Sequence, residues 1–546
     1  MFTAPISSPP RNHTAMSQPS LFLKPNVAIE PLYNQWYAWW FLISPATAPL
    51  FVANLHLKIL QSFAANPAIH VAALKNPALA GGPFINYGVD KVPEIKQLLE
   101  RTTREQADTL HFAQAVADLE KLLASEATGY SLEDVYKKVP DVLRGYVELY
   151  YDLHNRPQIR FLESLLYRSP HYKESSQSLS FRVLERDARP YVFSTPRLDS
   201  AEGLHVRKPF RSEAVDALFA MRQTPGPVEP VREALGISGA EDTALFNSFF
   251  TPEAPRRTPR YDGPGVRIRY YGHACVLIES KHVSLLTDPV IAYDVPSDLR
   301  RYTYEDLPEH IDYVLITHGH ADHLMFDTLL QLRHRVGTFV VPASAGGWLT
   351  DPSLKQLLRN TGFRNVVALE DMESLPLPGG SLTGLPFLGE HGDLPIQAKI
   401  AHLIQLEGKS LLMAADSNAL EPRIYDHARA AVGELDVMFL GMESEGAPLS
   451  WMYGPLLPSP LQRKMDQSRR LNGSNAERAI EMTERLNPKQ VYVYAMGREP
   501  WLSHVMVMGY TESSPQLIEA RKLIAACQAR GRIAGMPYGQ AEIFVS

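Results

Sequence analysis

The pattern of apolar and polar residues changes character near residue 250. Before that point, apolar positions recur every three or four residues over 93–123 and 132–168, which predicts amphipathic helices. After it, short runs rich in β-branched residues at 266–271, 275–279 and 283–287 predict a meander of strands. The chain therefore divides into a helix-rich part and a strand-rich part.

Predicted strands and helices alternate through the rest of the second part. The strands are expected at 313–317, 338–341, 399–406, 410–414, 437–440 and 491–494, and the clearest helices at 476–486 and 515–530. This alternation predicts two sheets packed face to face with helices outside, an αββα sandwich in the α/β class.

The boundary between the two parts is predicted from proline and glycine. Residues 251–265 contain four prolines and two glycines, which interrupt both helix and strand. We predict a linker at 256–265, a separate α-rich (α+β) N-terminal domain at 25–255, and a catalytic domain at 266–546. Residues 1–24 lack the basic and apolar regions of a signal peptide and are expected to be a flexible lead-in.

The uncharged aromatic segment 36–52 raises the question of a membrane helix. Pro45 and Pro49 argue against one, because proline removes a helical hydrogen bond and clashes with the preceding turn. We expect a buried segment or a dimer interface there, and no membrane partner.

Composition excludes several classes of partner. A content of 45% hydrophobic and 21% charged residues is typical of a soluble globular protein. The net charge of −6 does not predict the positively charged surface that nucleic acid binding needs. Two cysteines, Cys275 and Cys527, cannot build a disulfide framework or a cysteine metal cage, and they predict a reducing, cytoplasmic location.

The strongest chemical signal is the sequence Thr-His-Gly-His-Ala-Asp-His at 317–323. It follows a predicted buried strand, and a sheet can aim loop side chains at one point. His318 and His320 have the spacing to chelate one metal, and Asp322 and His323 point to a second. Imidazole and carboxylate ligands suit zinc, iron and manganese alike, so the motif alone does not name the metal.

This motif resembles the two-metal loop of the metallo-β-lactamase fold. The resemblance implies a later ligand in the loop 389–394, where Glu390 and His391 are candidates, then a bridging Asp416 and a final His504. Asp288 resembles the carboxylate that orients a ligating imidazole, although a plain turn at the end of a strand is an equal alternative.

A narrower resemblance comes from the Gly-Glu-His-Gly-Asp-Leu loop and Asp416 at their spacings from the motif. These residues, together with segments 441–449, 451–456 and 494–501, are similar to the diiron β-hydroxylases of nonribosomal peptide antibiotic pathways. The similarity covers most of the chain.

That family resemblance implies a function and a ligand set. It implies a non-haem diiron monooxygenase with an oxo- or hydroxo-bridged cluster, which uses O2 and an external reductase or ferredoxin to β-hydroxylate an aminoacyl thioester on a carrier domain. It also implies a homodimer formed through the N-terminal domain. One iron would be held by His318, His320, Glu390 and Asp416, and the other by Asp322, His323, Asp416 and His504. Glu390 and Asp416 are the residues expected to be catalytic.

A dinuclear zinc hydrolase is the alternative. If His391 replaced Glu390 as the ligand, the site would be a five-histidine zinc set, and a metal-activated hydroxide would attack an ester, amide or phosphodiester. Glu390 instead adds a hard anionic ligand, which favours oxidised iron.

The substrate side is expected along 441–460, which predicts a long loop over the metals. Trp451 and Tyr453 either line the pocket or pin this loop, and Glu443 and Glu445 either meet a substrate amine or are solvated. The next segment carries a basic cluster that either engages a carrier domain and its pantetheine phosphate or is a solvated face. The cluster consists of Arg463, Lys464, Arg469 and Arg470.

Overall fold

The computed structural model describes residues 19–200, 202–344, 346–507 and 509–546. Most of the expected lead-in, residues 1–24, therefore lies outside the described residues. Its last part contains a strand, Ser20–Leu23, which pairs with Gly226–Pro227 and Phe250–Thr251. The beginning and end of the N-terminal domain are thus joined in one small sheet.

The N-terminal domain contains both helices and strands. Its strands are β1 (Ser20–Leu23), β2 (Val27–Tyr33), β3 (Trp36–Tyr37), β4 (Val147–Tyr151), β5 (Pro157–Phe161), β6 (Gln177–Val183), β7 (Gly203–Arg207), β8 (Gly226–Pro227) and β9 (Phe250–Thr251). Its α-helices are α1 (Trp40–Ile43), α2 (Ala48–Phe51), α3 (Leu57–Ala65), α4 (Pro67–Ala73), α5 (Val92–Glu105), α6 (Ala107–Glu126), α7 (Glu133–Tyr136), α8 (Glu163–Leu166), α9 (Glu213–Ala220), α10 (Val228–Leu235) and α11 (Ala240–Ser248).

Two helical predictions in this domain have different outcomes. The helices expected over 93–123 are confirmed by α5 and α6. The prediction over 132–168 is wrong for most of its length, because β4 and β5 form an antiparallel hairpin there. The reason is visible in β4, where Val147 and Leu149 are buried and Glu148 is exposed, which is the two-residue period of a strand.

The C-terminal part has the predicted αββα architecture. Its strands are β10 (Val266–Gly272), β11 (Cys275–Glu279), β12 (Ser284–Thr287), β13 (Ile311–Leu315), β14 (Val336–Pro342), β15 (Val366–Leu369), β16 (Ser374–Leu377), β17 (Gly380–Leu385), β18 (Ala401–Leu406), β19 (Lys409–Met413), β20 (Val437–Gly441), β21 (Gln490–Tyr494), β22 (Ile533–Gly535) and β23 (Ala541–Val545). Its α-helices are α12 (Phe326–Leu332), α13 (Leu354–Asn360), α14 (Arg423–Val432), α15 (Leu449–Tyr453), α16 (Arg463–Ser468), α17 (Ala476–Leu486) and α18 (Pro515–Ala529).

These strands form two seven-stranded sheets, ordered β15-β14-β13-β12-β11-β10-β23 and β16-β17-β18-β19-β20-β21-β22. An apolar core built from both sheets fills the space between them. Helices α14, α17 and α18 cover the outer face of the second sheet. On the first sheet, α12 and α13 share one apolar cluster with the N-terminal domain. The segment 256–265 contains no helix or strand beyond a single bridge at Thr258, and we keep it as the proposed domain boundary.

The aromatic segment 36–52 lies at the contact between the two parts. Every one of its residues is buried within the single chain, so it is a core segment and has no surface left for a dimer interface. Trp40 Nε1 donates to the carbonyl of Pro352 (3.1 Å), and the Tyr37 hydroxyl donates to Asp327 (3.0 Å). Among the described helices, none combines the length and apolar character needed to cross a bilayer.

Candidate metal centre

Four of the predicted ligands lie on the loop after β13. This strand pairs in parallel with β12 and β14, so the loop leaves the sheet at the carboxyl ends of three strands. The amide groups of His323 and Leu324 donate to the carbonyl of His320 (3.0 and 2.8 Å). This turn folds the loop back on itself and brings the rings of His318 and His323 to 4.2 Å between centroids.

Glu390 completes one group of potential ligands with His318 and His320. Atoms from the three residues all lie within 4.8 Å of one another. His318 Nε2 is 3.5 Å from Glu390 Oε2, and His320 Nδ1 contacts Glu390 Oε1. Glu390 has a φ of +69°, a conformation that non-glycine residues rarely adopt and that clusters at functional sites.

Asp416 completes a second group with His318 and His323. Its Oδ2 is 3.1 Å from His323 Nε2 and 3.8 Å from His318 Nε2, so it faces both halves of the cluster. Gly441 at the end of β20 makes room for it, because a Cβ there would lie 2.1 Å from Asp416 Oδ1. This placement agrees with the bridging role expected from the family resemblance.

Asp322 is held by a histidine that the sequence analysis missed. His273 Nε2 lies 3.0 Å from Asp322 Oδ2, and His273 Nδ1 accepts a hydrogen bond from the Gly497 amide (3.0 Å). Because Nδ1 is the acceptor, the proton of a neutral ring is on Nε2, which donates to Asp322. The signal available in the sequence is topological, since the β10–β11 turn lies at the same sheet edge as the motif loop.

Asp288 orients His323, as one of the two sequence interpretations proposed. Asp288 Oδ2 is 2.8 Å from His323 Nδ1. The amide and hydroxyl of Thr317 donate to the same carboxylate (2.8 and 2.6 Å). Such a carboxylate fixes the ring so that its other nitrogen, Nε2, faces the cluster. Both Asp288 and His323 are completely buried.

The structure does not bring His504 into this cluster, and its role as a ligand stays a prediction. His504 belongs to none of the ligand groups formed by the described residues. Its ring is fully buried, and the charged groups that act on it are Arg189, Glu30 and Arg197. The backbone of His504 instead accepts a hydrogen bond from the Val192 amide (2.9 Å), which ties it to the N-terminal domain.

Glu390 and His391, the two candidates for the fourth ligand, occupy different positions. His391 Nδ1 lies 3.0 Å from His320 Nε2 and 3.2 Å from Glu390 Oε2, whereas Glu390 contacts the other ring nitrogen of His320, Nδ1. The Tyr453 hydroxyl is 3.4 Å from both His391 Nδ1 and His320 Nε2. Tyr453 is itself completely buried, so it supports the ring of His320 and does not line a pocket.

Several buried polar atoms in the cluster have no hydrogen-bond partner among the described residues. They are His318 Nε2, His323 Nε2, Glu390 Oε2 and Asp416 Oδ1. Burying such atoms without a partner costs about 1–3 kcal/mol each. Imidazole nitrogens and carboxylate oxygens converging in this way fit a pair of divalent or trivalent metal ions.

Burial and neighbouring charges shift the pKa values of the side chains in the cluster. Burial raises the pKa of Glu390 to about 7, against the attraction of His320. Burial alone would lower the pKa of His323, but the carboxylates of Asp416, Asp322 and Asp288 hold it well above its usual range. Burial and the neighbouring histidines hold the pKa of His318 well below its usual range. Metal ions bound here must therefore displace protons.

A cavity of about 700 Å³ opens onto the cluster. Its inner end is formed by His320, Asp322, Glu390, Asp416 and Glu443, and Glu445 lies further out. The N-terminal domain supplies part of the wall through residues 77–81 and Phe193. Trp451 both lines this cavity and pins the wall, because its Nε1 donates to the Gly81 carbonyl (3.0 Å). The segment 441–460 is not only a loop, since it contains α15.

The four residues of the basic cluster do not act together. Arg463 and Lys464 are exposed at the start of α16. Arg469 Nε donates to the Gly392 carbonyl (2.8 Å) and so holds the loop that carries Glu390. Arg470 alone among the four lines the cavity.

Comparison with known proteins agrees with this geometry. A family model described as "Diiron non-heme beta-hydroxylase N-terminal domain" matches residues 22–255, and one described as "Beta-lactamase superfamily domain" matches residues 284–494. The chain is 40% identical over 520 residues to 4-amino-L-phenylalanyl-[CmlP-peptidyl-carrier-protein] 3-hydroxylase of Streptomyces venezuelae, covering 93% of this chain and 97% of the relative.

The fold is also shared across both domains. The crystal structure of CmlA, a diiron β-hydroxylase from Streptomyces venezuelae, superimposes with a TM-score of 0.91 at 38% sequence identity. The match covers 97% of this chain and all of that one, so it includes the N-terminal domain as well as the αββα sandwich. The chain therefore belongs to the diiron non-haem β-hydroxylase family.

Proposed function

We propose that this protein is a diiron monooxygenase that hydroxylates the β-carbon of an aminoacyl group held as a thioester on a carrier domain of a nonribosomal peptide synthetase. The observation that carries the proposal is the position of Glu390, which completes the site of His318 and His320 at the inner end of a large cavity. The relative from Streptomyces venezuelae is named for a hydroxylation of this class on a carrier-bound aminoacyl group.

We assign the two irons to six side chains. His318, His320, Glu390 and Asp416 would hold one, and Asp322, His323 and Asp416 the other. Three carboxylates in this set favour iron in the oxidised states that oxygen chemistry requires. Bound there, the iron pair supplies the activation of O2, which protein side chains cannot perform by themselves.

The reaction needs more than O2 and the substrate. One oxygen atom enters the new C–OH bond and the other leaves as water, which consumes two electrons and two protons. An external donor must supply the electrons, and we propose a reductase or ferredoxin. Apolar side chains such as Met452 and Val505 line the cavity and would limit competing water beside the metals.

The buried hydroxyl of Tyr453 has a role in holding the site. Burial, reinforced by the nearby Glu390, places the pKa of Tyr453 well above its usual range, so the phenol stays neutral. It therefore remains able to hydrogen-bond to His320 Nε2 and keeps Nδ1 of that ring directed at Glu390.

The proposal also includes a homodimer and a cytoplasmic location. The family resemblance is the basis for the dimer. Both cysteines are free and buried, and a protein that relies on no disulfide suits a reducing compartment.

Mass spectrometry of a carrier domain tests the function. An aminoacyl carrier domain is incubated with iron-loaded protein, a chemical reductant and O2, and the expected product gains one oxygen atom on the β-carbon of the aminoacyl group. A control without O2 should show no gain. Two tightly bound zinc ions together with turnover in the absence of O2 would instead establish the hydrolase alternative.

A further inference from the structure

Glu443 is a cavity residue that the metal assignment leaves unused. It lies two residues beyond Gly441, which packs against Asp416, and it lines the cavity together with Asp322, Glu390 and Asp416. It belongs neither to the two ligand groups given above nor to the third group found among the described residues, which consists of His273, Asp322 and His323. Its backbone carbonyl accepts a hydrogen bond from the Gly473 amide (2.9 Å), which fixes the position of the residue.

Most of the charge that acts on Glu443 is negative, and the imidazole of His323 opposes it more weakly. The ionisable groups that act most strongly on its carboxylate are Asp322, Asp416 and Glu390. The only lysine or arginine that lines the cavity in the described part of the chain is Arg470, and that guanidinium donates to Gln467 Oε1 (2.7 Å). A sequestered carboxylate needs a cation or hydrogen-bond donors to compensate its desolvation. Metals at the assigned sites neutralise their own ligands and leave Glu443 available.

The proposed substrate carries a matching cation. An aminoacyl thioester has its α-ammonium on the carbon next to the β-carbon, and two bonds separate the nitrogen from the β-carbon, about 2.5 Å. A carboxylate beside the metal ligands that holds this ammonium therefore also fixes the reacting carbon close to the cluster. Glu445 is less suited to this task, because it is exposed at the outer part of the cavity.

We propose that Glu443 binds the α-ammonium group of the substrate and makes the enzyme selective for aminoacyl groups with a free amine. This inference rests on the proposed function. It also places the reaction in a sequence: it follows the loading of the amino acid onto the carrier as a thioester, and it precedes acylation of that amine by peptide-bond formation.

The test compares two substrates and three proteins. The substrates are an aminoacyl carrier domain and the same domain after N-acetylation of the amino acid. The proteins are the wild type, Glu443→Gln, and the control Glu434→Gln. Glu434 is an exposed residue that precedes the start of β20, whereas Glu443 follows its end. Binding of each carrier is measured by fluorescence anisotropy with metal-loaded protein, hydroxylation by mass spectrometry, and metal content by elemental analysis.

We expect the wild type and Glu434→Gln to prefer the free amine. Glu443→Gln should lose about ten- to a hundredfold in binding and kcat/KM for the free amine, the range of one charge-assisted hydrogen bond, and should change little toward the N-acetylated carrier. Its metal content should remain two ions per chain, as in the wild type.

Two results would overturn the inference. If Glu443→Gln keeps the wild-type preference for the free amine, Glu443 does not bind the amine. Loss of metal from this variant would show that Glu443 is a ligand. Failure of the proposed function gives a different pattern, because the wild type would then hydroxylate neither carrier.

Discussion

The indole ring of Trp40 packs against the α-carbon of Gly319, the residue between His318 and His320. A Cβ at Gly319 would lie 2.1 Å from Cε3 and Cζ3 of Trp40. A side chain of the N-terminal domain thus occupies the space directly beside the metal-binding loop, and only glycine is compatible with it. The N-terminal domain contributes to the shape of the metal centre as well as to the cavity wall.

The first prediction follows from this contact. Gly319→Ala should displace the loop, because neither the buried indole nor the β13 backbone has room to move, and overpacking of this kind costs about 1–3 kcal/mol. We expect weaker metal binding and a lower free energy of unfolding in urea. Trp40→Leu combined with Gly319→Ala should recover part of the metal affinity, whereas equal defects in the single and double variants would contradict the steric explanation.

The second prediction distinguishes the contributions of Asp288 and His504 to metal binding. Asp288→Asn should reduce metal affinity about ten- to a hundredfold, because it removes the charge that orients His323. His504→Gln should retain two metal ions per chain, since the structure places that ring outside the cluster. Elemental analysis after dialysis against a chelator measures both. Loss of metal from the His504 variant would restore its assignment as a ligand.

The third prediction concerns pH. Burial raises the pKa of Glu390 to about 7 in the metal-free protein, so below that pH the carboxyl holds a proton that the metal must displace. The raised pKa values of His320 and His323 act in the same direction. Affinity for Co²⁺ should therefore fall as pH falls. Below pH 7 the proton on Glu390 should lower the binding constant by an additional factor of about ten for each pH unit.

Calorimetric titration of the metal-free protein on both sides of pH 7 measures this dependence. Glu390→Gln should bind Co²⁺ more weakly and should lack the additional steepening, because it has no proton to release at that position. An equal pH dependence in the wild type and in Glu390→Gln would show that Glu390 is ionised without metal.

The fourth prediction tests the carrier interface. Arg470→Glu should weaken binding of a phosphopantetheine-bearing carrier domain by about tenfold, because it reverses a charge at the cavity wall. The exposed Arg423→Glu is the control, because it changes the net charge equally at a position outside the cavity. Equal effects of the two variants would mean that only overall charge matters. Arg469 is unsuitable for this test, since its guanidinium holds the Gly392 carbonyl.

Some features of this site were accessible from the sequence because they are local. The motif residues His318, His320, Asp322 and His323 follow one strand without interruption, and the turn after that strand dictates their convergence. Asp416, three residues after the end of β19, was identified through the family resemblance. Glu390 needed the family resemblance, because its left-handed backbone between glycines is a tertiary constraint that spacing does not reveal.

Other features depend on contacts between distant parts of the chain. His504 has the expected position in the sequence, yet its ring is buried near the Glu30–Arg197 ion pair of the N-terminal domain. His273 lies 49 residues before Asp322 in the sequence and reaches it only because two sheet connections meet at one edge. The hairpin of β4 and β5 was missed because short apolar runs fit both helix and strand periods.

The single apolar cluster shared by the N-terminal domain and helices α12 and α13 has a further consequence. If the chain were cut within residues 256–265 and the two fragments separated, α12 and α13 would expose a large apolar face to water. The two halves should therefore unfold together and fail to persist as separate fragments. We therefore expect the proposed domain boundary in the sequence not to mark a boundary between independently folding units.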